Sequence, residues 1–511
     1  MRREARSNMS DRQGYIRRLS LWLSLLGSAL VTLAVLLLHA SGSGSGTLES
    51  ILLSLAVVLL AGFALSVRWK GEMSGRAGVM LLALMLLAGT MLRLLSAASG
   101  GTEWLQLSIF TGRGPSPELG LDLYAGRALL AGLNPFKFSV QELMGGGLRV
   151  ADTGLEAART LVGSSEALSQ WVGSVAQAEI RAGVGLDISH RPAAPLPALP
   201  LLAAAQVLTP NAALGWFGLL IVSDSLALGL LVVLMRRMRV PLQWAALFWV
   251  NPLWLVAGFG AGSCFVLIAP LVLLALWTSV SERAALTGFL LALCVGFSLW
   301  IAALLPLLLR SAGRRPAAWR RAAYGVVGFA LFVGIIGLGQ RLLGGDWTGF
   351  SSALVLPKDK AANGGLALFL LADTGLLGGA TRWAAVGWGL LVLVAGGLLA
   401  LPPLPDQAQR SIRAGILGVV ALFLSSLIHP AALLPVLVLL PLTRAPALVL
   451  GAGLGVLVSA LTALLHTLGF APQPEAGIAA STAARLVVGL VIGLLFVAAW
   501  LASVRRNQTL E

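Results

Sequence analysis

Apolar runs of about 20 residues recur along almost the whole of this 511-residue chain, separated by short connections that carry arginine and lysine. A helical run of that length crosses the roughly 30 Å hydrocarbon core of a bilayer. Only 11% of the residues are charged, whereas a water-soluble domain needs about 25%. Backbone groups in lipid must be satisfied within their own segment, so the spans are predicted to be helices. We therefore expect an all-α, polytopic integral membrane protein.

The positive charges of the connections predict the topology. Lys and Arg are enriched in cytoplasmic loops, so the basic N-terminal tail and the C-terminal pair Arg505 and Arg506 place both termini in the cytoplasm. The run 284–309 is predicted to be a re-entrant hairpin, because a single span would put the arginines of 310–321 outside. About 12 spans are predicted, at residues 20–40, 48–67, 77–97, 213–235, 242–258, 263–280, 322–343, 383–402, 413–427, 429–443, 446–466 and 483–503.

These spans divide the chain into five parts. Residues 1–97 form a cytoplasmic tail with three spans, 98–212 a large outer loop, and 213–343 the central spans with the hairpin. Residues 344–382 form a second outer loop, and 383–511 hold the C-terminal spans. The stretch 98–195 is slightly acidic, with nine acidic and seven basic side chains. Helical spacing at 121–132 and 152–182 predicts amphipathic helices near the membrane surface, and 195–210 predicts a short interfacial or re-entrant helix.

The formal net charge of +15 is explained by this topology, and no nucleic-acid partner is expected. Cys264 and Cys294 both lie in apolar stretches, where a free cysteine behaves as a small hydrophobic side chain. The four histidines are scattered, and no metal-ligating set is predicted.

Two sets of polar residues could carry chemistry. Glu118 and Asp122 are four positions apart and would share one face of a helix, where a partly desolvated carboxylate can act as a general base. The alternative is a solvated face paired to Arg127. Asp224 lies in the middle of an apolar run, where an ionisable residue is costly and by default functional. It could equally be hydrogen-bonded to a neighbouring helix.

A third candidate is the cationic pair His190 and Arg191 at the end of the outer loop. Two cations there could neutralise a phosphate on a lipid carrier. The alternative is an ordinary anchor at the membrane interface.

The segment 124–136 reads Tyr-Ala-Gly-Arg-Ala-Leu-Leu-Ala-Gly-Leu-Asn-Pro-Phe. It resembles the outer-loop signature of the bacterial GT-C membrane glycosyltransferases, and in particular of the polyprenyl-phosphate-mannose-dependent mannosyltransferases of glycosyltransferase family 87 and its neighbours. Glu118 holds the place of the acidic residue that precedes this signature. Weaker matches follow in the same order along the chain, at Ile188–Pro192, Asp224, Trp249–Leu253, Gly288–Pro306 and His429–Pro430.

The resemblance implies a GT-C-like bundle in the bacterial inner membrane that transfers a sugar, such as mannose, from a polyprenyl-phosphate donor to a glycan or lipid acceptor. It gives Glu118 the role of base and Asp122 that of a second carboxylate. Arg127, His190 and Arg191 become candidates for holding phosphate, and Asp224 joins them in the substrate site. No cofactor is implied besides the lipid-linked donor, and the resemblance leaves a divalent metal open.

The chain also departs from the family's pattern, which keeps a second interpretation open. Gly262–Phe265 stands where many members carry an acidic or His-Asn-Asp cluster, and Ala431 and Ala432 replace an expected Trp-Tyr pair. A catalytically degenerate protein, serving as a structural or accessory subunit beside other membrane proteins, would tolerate these losses. A transporter or lipid flippase is a third interpretation, and Asp224 is the one residue that supports it.

Overall fold

The described part of the chain is built from helices and turns, and it contains no strand. The predicted all-α class is therefore confirmed for these residues. In the computed structural model, placement is described for residues 21–38, 46–70, 75–101, 117–135, 156–157, 159–161, 196–209, 212–260, 262–281, 283–297, 323–332 and 437–443, and for single positions between 301 and 338.

Three long helices open the described chain: α1 (Leu21–Leu38), α2 (Gly46–Lys70) and α3 (Gly75–Gly101). The hydroxyl of Ser28 donates a hydrogen bond to the carbonyl of Ala56 at 2.8 Å, which joins α1 to α2. Hydroxyl-to-backbone bonds of this kind help helices associate where lipid offers no polar partner.

In the region predicted to be an outer loop, the chain forms α4 (Pro117–Leu130), which overlaps the helix predicted at 121–132. Gly132 ends it with φ +72°, a conformation that glycine adopts without a Cβ penalty. The amide of Leu133 bonds to the carbonyl of Ala128 at 2.8 Å, and that of Gly132 to Leu129 at 3.1 Å. These two hydrogen bonds form a Schellman C-cap. The stretch 131–135, Ala-Gly-Leu-Asn-Pro, therefore terminates α4.

A second short helix, α5 (Leu199–Leu208), follows a 3-10 turn at Leu196–Ala198 and carries Pro200 in its first turn, where the missing N–H costs nothing. It packs against α4. A Cβ added to Gly126 would lie 2.6 Å from the backbone carbon of Leu202, so this glycine permits the close approach of the two helices.

The central segment begins with α6 (Ala212–Arg237) and continues through a 3-10 turn at Leu242–Ala245 into the short α7 (Ala246–Trp249). A π-helical segment, Trp254–Gly260, comes next and is bent by 47° from the preceding piece. The span predicted at 242–258 is therefore broken in the structure.

Asn251 and Pro252 account for this break. The side chain of Asn251 donates to the carbonyl of Leu247 at 2.8 Å, which terminates α7. Its Oδ1 accepts from the amides of Leu253 and Trp254 at 3.0 and 3.5 Å, which caps the π-helical segment. Proline after this N-cap lacks the N–H that the preceding helix would need to continue.

The chain then forms a 3-10 turn at Cys264–Leu267 and α8 (Ile268–Val280). The indole of Trp216, at the start of α6, donates to the carbonyl of Gly262 at 2.8 Å. At the other end, Arg237 Nη1 donates to the hydroxyl of Ser281 at 3.3 Å. These two contacts show that α6 and α8 run parallel, with the bent segment 242–260 returning between them.

After α8 come α9 (Ala284–Phe297) and α10 (Ala323–Phe332), and α11 (Leu440–Thr443) is a single turn. The hydroxyls of Thr278 and Thr287 are 2.9 Å apart and join α8 to α9. Beyond Phe297 the hairpin predicted at 284–309 is described only at single positions, so it stays a prediction.

Three helices of the described chain are long and apolar enough to cross a membrane, namely Leu21–Leu38, Gly78–Leu95 and Leu214–Arg237, or four if the bent pair 242–249 and 254–260 is one span. No more than 33% of each of the three is buried. Large apolar side chains such as Leu30, Leu87 and Val222 are exposed on them, which suits a lipid environment. The other predicted spans lie partly or wholly outside the described residues, so the count of 12 stays a prediction.

Candidate functional site

Asp224 lies in the middle of α6, a helix long and apolar enough to cross a membrane, and is fully buried. Its Oδ2 forms an ion pair with Nε of Arg93, which projects from α3 and is 2% exposed. Its Oδ1 accepts a hydrogen bond from the indole of Trp254 at 3.0 Å. Both carboxylate oxygens therefore have partners from neighbouring elements, so the structure places Asp224 inside a polar joint between three helical segments.

The guanidinium of Arg93 is held by the broken segment as well as by Asp224. Because the amide of Leu253 bonds to the Asn251 side chain, the carbonyl of Trp249 has lost its usual helical partner. Arg93 Nη1 donates to that carbonyl, and also to the carbonyl of Gly89 at 3.0 Å. One cation thus satisfies the backbone group that the helix break leaves open.

The ring of Trp249 packs against the guanidinium group of Arg93. The guanidinium carbon of Arg93 lies 3.6 Å from the centroid of the Trp249 ring, and desolvated contacts of this kind are worth about 2 kcal/mol. The Trp249 indole donates to the carbonyl of Leu86 at 3.2 Å. A Cβ on Gly89 would collide with this tryptophan. The absence of a side chain at Gly89 therefore permits α3 to pack against Trp249.

Arg93 is not among the site residues predicted from the sequence, although its position within an apolar run could have identified it. A lone arginine inside the apolar run 77–97 is as costly as Asp224 in its own run, and opposite charges in two spans are expected to pair. Arg93 Nη2 has no hydrogen-bond partner among the described residues.

Asp122 lies on α4 and is partly buried. Its Oδ2 accepts a hydrogen bond from the thiol of Cys264 at 3.0 Å, across 142 positions of sequence. Cys264 is 5% exposed and begins the turn that leads into α8. A carboxylate of α4 is therefore attached directly to the turn that leads into α8.

The other predicted site residues are placed only in part. Glu118 lies in the first turn of α4, four positions before Asp122, but its side chain is outside the described residues. Arg127 lies in the last turn of α4 and is half-buried. His190 and Arg191 are outside the described residues.

Tyr124 on the same helix is fully buried, and burial raises the pKa of its phenol to about 12. Its hydroxyl has no hydrogen-bond partner among the described residues. No group of three or more potential metal-ligating side chains occurs within the described part of the chain.

Comparison with known proteins gave no match to any protein-family model, to any curated protein or to any solved structure.

Proposed function

We propose that this chain is a membrane glycosyltransferase of GT-C type, which transfers a sugar from a polyprenyl-phosphate donor at the outer face of the bacterial inner membrane. The observation that supports this most is the contact between Asp122 and Cys264. It holds a carboxylate of the outer-loop helix against the turn that opens α8, at the border between loop and bundle. A lipid-linked sugar would present its phosphate and anomeric carbon at that border.

In this proposal a carboxylate of α4 acts as general base. It takes the proton of an acceptor hydroxyl while the oxygen of that hydroxyl attacks the anomeric carbon. The bond from that carbon to the phosphate oxygen breaks, the lipid phosphate leaves with the bonding electron pair, and the configuration is inverted. Glu118 is the proposed base and Asp122 the second carboxylate.

The leaving phosphate gains negative charge and needs cations near it. Arg127, His190 and Arg191 are the proposed cationic groups, since charge-assisted hydrogen bonds to phosphate are among the stronger polar contacts. Preorganised donors of this kind typically contribute about 3–4 kcal/mol each to transition-state stabilisation.

The first test is transfer of labelled sugar from a polyprenyl-phosphate sugar by membranes containing the full chain. We expect Glu118→Gln to lower the rate by about 100-fold or more, in line with the contribution of a general base. Glu156→Gln is the matched control, because Glu156 is an exposed carboxylate elsewhere in the outer loop. Equal transfer rates for wild type and Glu118→Gln would show that Glu118 is not the general base.

A second candidate function is that of an accessory subunit in a larger membrane assembly. The observation that favours it is the joint of Arg93, Asp224 and Trp254, in which polar groups buried in the bundle are engaged with one another. Absence of transfer together with co-purification of other membrane subunits at fixed stoichiometry would support this function over the transferase.

A further inference from the structure

Cys264 is held on a rigid turn. The amide of Gly262 bonds to the carbonyl of Phe259 at 2.9 Å, and that of Ser263 to Gly258 at 2.8 Å. The Trp216 indole holds the Gly262 carbonyl from α6. Ser263 then caps the following 3-10 turn through its hydroxyl, which accepts from the amide of Phe265 at 3.2 Å. The backbone from which the Cys264 thiol projects is therefore held in place.

Asp122 is held on a second rigid element. Gly126 allows α4 to pack directly against the backbone of α5 at Leu202. The side chain of Gln206 donates to the carbonyl of Leu123 at 3.1 Å, and the C-cap at Gly132 ends the helix. Both partners of the thiol–carboxylate bond are thus fixed by contacts of their own elements.

The geometry points to Cys264 as a positioning residue, whose thiol orients the Asp122 carboxylate for the transfer reaction. This role rests on the proposed function. A thiol is a weak donor, so it can fix the direction of a carboxylate while stabilising its charged form less than an N–H or a cation would. That combination suits Asp122 as the second carboxylate, which must be oriented beside the proposed base Glu118.

The hydrogen bond itself can be tested without any activity assay. A hydrogen bond lowers the S–H stretching frequency, which lies in a spectral window with little other protein absorption. The chain has two cysteines, so Cys264 is the single thiol of the Cys294→Ala protein. In that protein, we expect Asp122→Ala to move the S–H band to higher frequency and Glu156→Gln to leave it in place.

The positioning role is tested by transfer kinetics in the full chain. We expect Cys264→Ala to lower kcat by about 10-fold with little change in KM, which is the order expected for one hydrogen bond to a charged group. Cys264→Ser should recover most of kcat, because serine keeps a donor on Cβ. Cys294→Ala, buried in α9, is the control and should transfer at the wild-type rate.

An S–H band that does not move in Asp122→Ala overturns the inference, whatever the activity. A band that moves, combined with wild-type kcat in Cys264→Ala, also overturns it, because the bond would then be structural only. A wild-type chain without transfer activity contradicts the proposed function itself, and the positioning role with it. The two failures are therefore distinguishable.

Discussion

Arg93 and Asp224 show how a helical bundle can bury opposite charges from two helices. The pair is shared among α3, α6 and the break at 250–253, and Trp254 and Trp249 supply further contacts. Removing water from two ions is expensive, and the mutual attraction offsets this only when the remaining polar atoms are also bonded. The pair therefore specifies how the three segments fit more than it adds net stability.

A large loss of stability is expected when either charge is left without its partner. We expect Arg93→Leu and Asp224→Leu each to lower the free energy of unfolding by about 3–5 kcal/mol, since an uncompensated charge stays buried. The double substitution should recover much of that loss. The measurement is equilibrium unfolding in detergent micelles, analysed as a double-mutant cycle. A double variant whose loss equals the sum of the two single losses would contradict the pairing.

Tyr124 gives a prediction at alkaline pH. A free tyrosine has a pKa of about 10, and burial raises that of Tyr124 to about 12. The folded state therefore holds this proton more tightly than the unfolded state, so its stability contribution is present below pH 10 and falls as the pH rises to 12. The loss amounts to roughly 3 kcal/mol in all.

We expect Tyr124→Phe to reduce the fall in unfolding free energy between pH 10 and pH 12. Tyr324→Phe is the control, because Tyr324 is 66% exposed, and it should leave the fall unchanged. A fall of the same size in wild type and Tyr124→Phe would contradict the assignment to Tyr124.

At the scale of elements, glycine determines which helices can touch. A Cβ on Gly126 would lie 2.6–2.8 Å from backbone and Cβ atoms of Leu202, closer than real contacts allow. A Cβ on Gly218 of α6 would meet nothing within 4 Å. The same residue type is thus indispensable at one position and replaceable at another.

We expect Gly126→Ala to destabilise the protein by about 1–3 kcal/mol, the usual cost of overpacking, and to push α4 away from α5. Thermal unfolding would measure the first effect, and the S–H band of Cys264 the second, because Asp122 moves with α4. Gly218→Ala is the matched control and should leave both unchanged. An unaltered unfolding temperature in Gly126→Ala would show that the helices do not pack this closely.

Helical period and turn residues predicted some elements and misjudged others. The helix predicted at 121–132 from its spacing overlaps the observed helix Pro117–Leu130, although its bounds differ at both ends. The apolar content of 242–258 predicts a span there but gives no sign of the break within it. The break at Asn251 depends on a side chain that bonds both neighbouring turns, and hydropathy does not report such bonds.

Contacts between distant segments were beyond sequence reasoning. Cys264 was interpreted as a small hydrophobic side chain, because nothing local to it indicates a carboxylate from residue 122. Arg93 and Asp224 are 131 positions apart, and their pairing requires the relative placement of α3 and α6. The positions of Glu118 and Asp122 on one helix needed only the local spacing of four.

At the scale of the whole molecule, the contacts divide the ends of the central helices into two groups, whose orientation in a membrane stays a prediction. Trp216, Gly262, Cys264 and Asp122 were all predicted at the outer face, and they meet at one end of α6. Arg237 and Ser281 were predicted at the cytoplasmic face, and they meet at the other end. The distribution of Lys and Arg in the connections and the packing of the helices thus separate the same residues into two groups.

This separation leads to a topology prediction that needs no knowledge of the reaction. Thr160 and Arg283 are both exposed. The first belongs to the predicted outer loop, and the second follows α8 on the side predicted to be cytoplasmic. In a background with Cys264 and Cys294 replaced, Thr160→Cys should react with a membrane-impermeant thiol reagent in intact spheroplasts. Arg283→Cys should react only after permeabilisation. Reversed labelling would place the outer loop in the cytoplasm, where an outer-face lipid-linked donor could not reach Asp122.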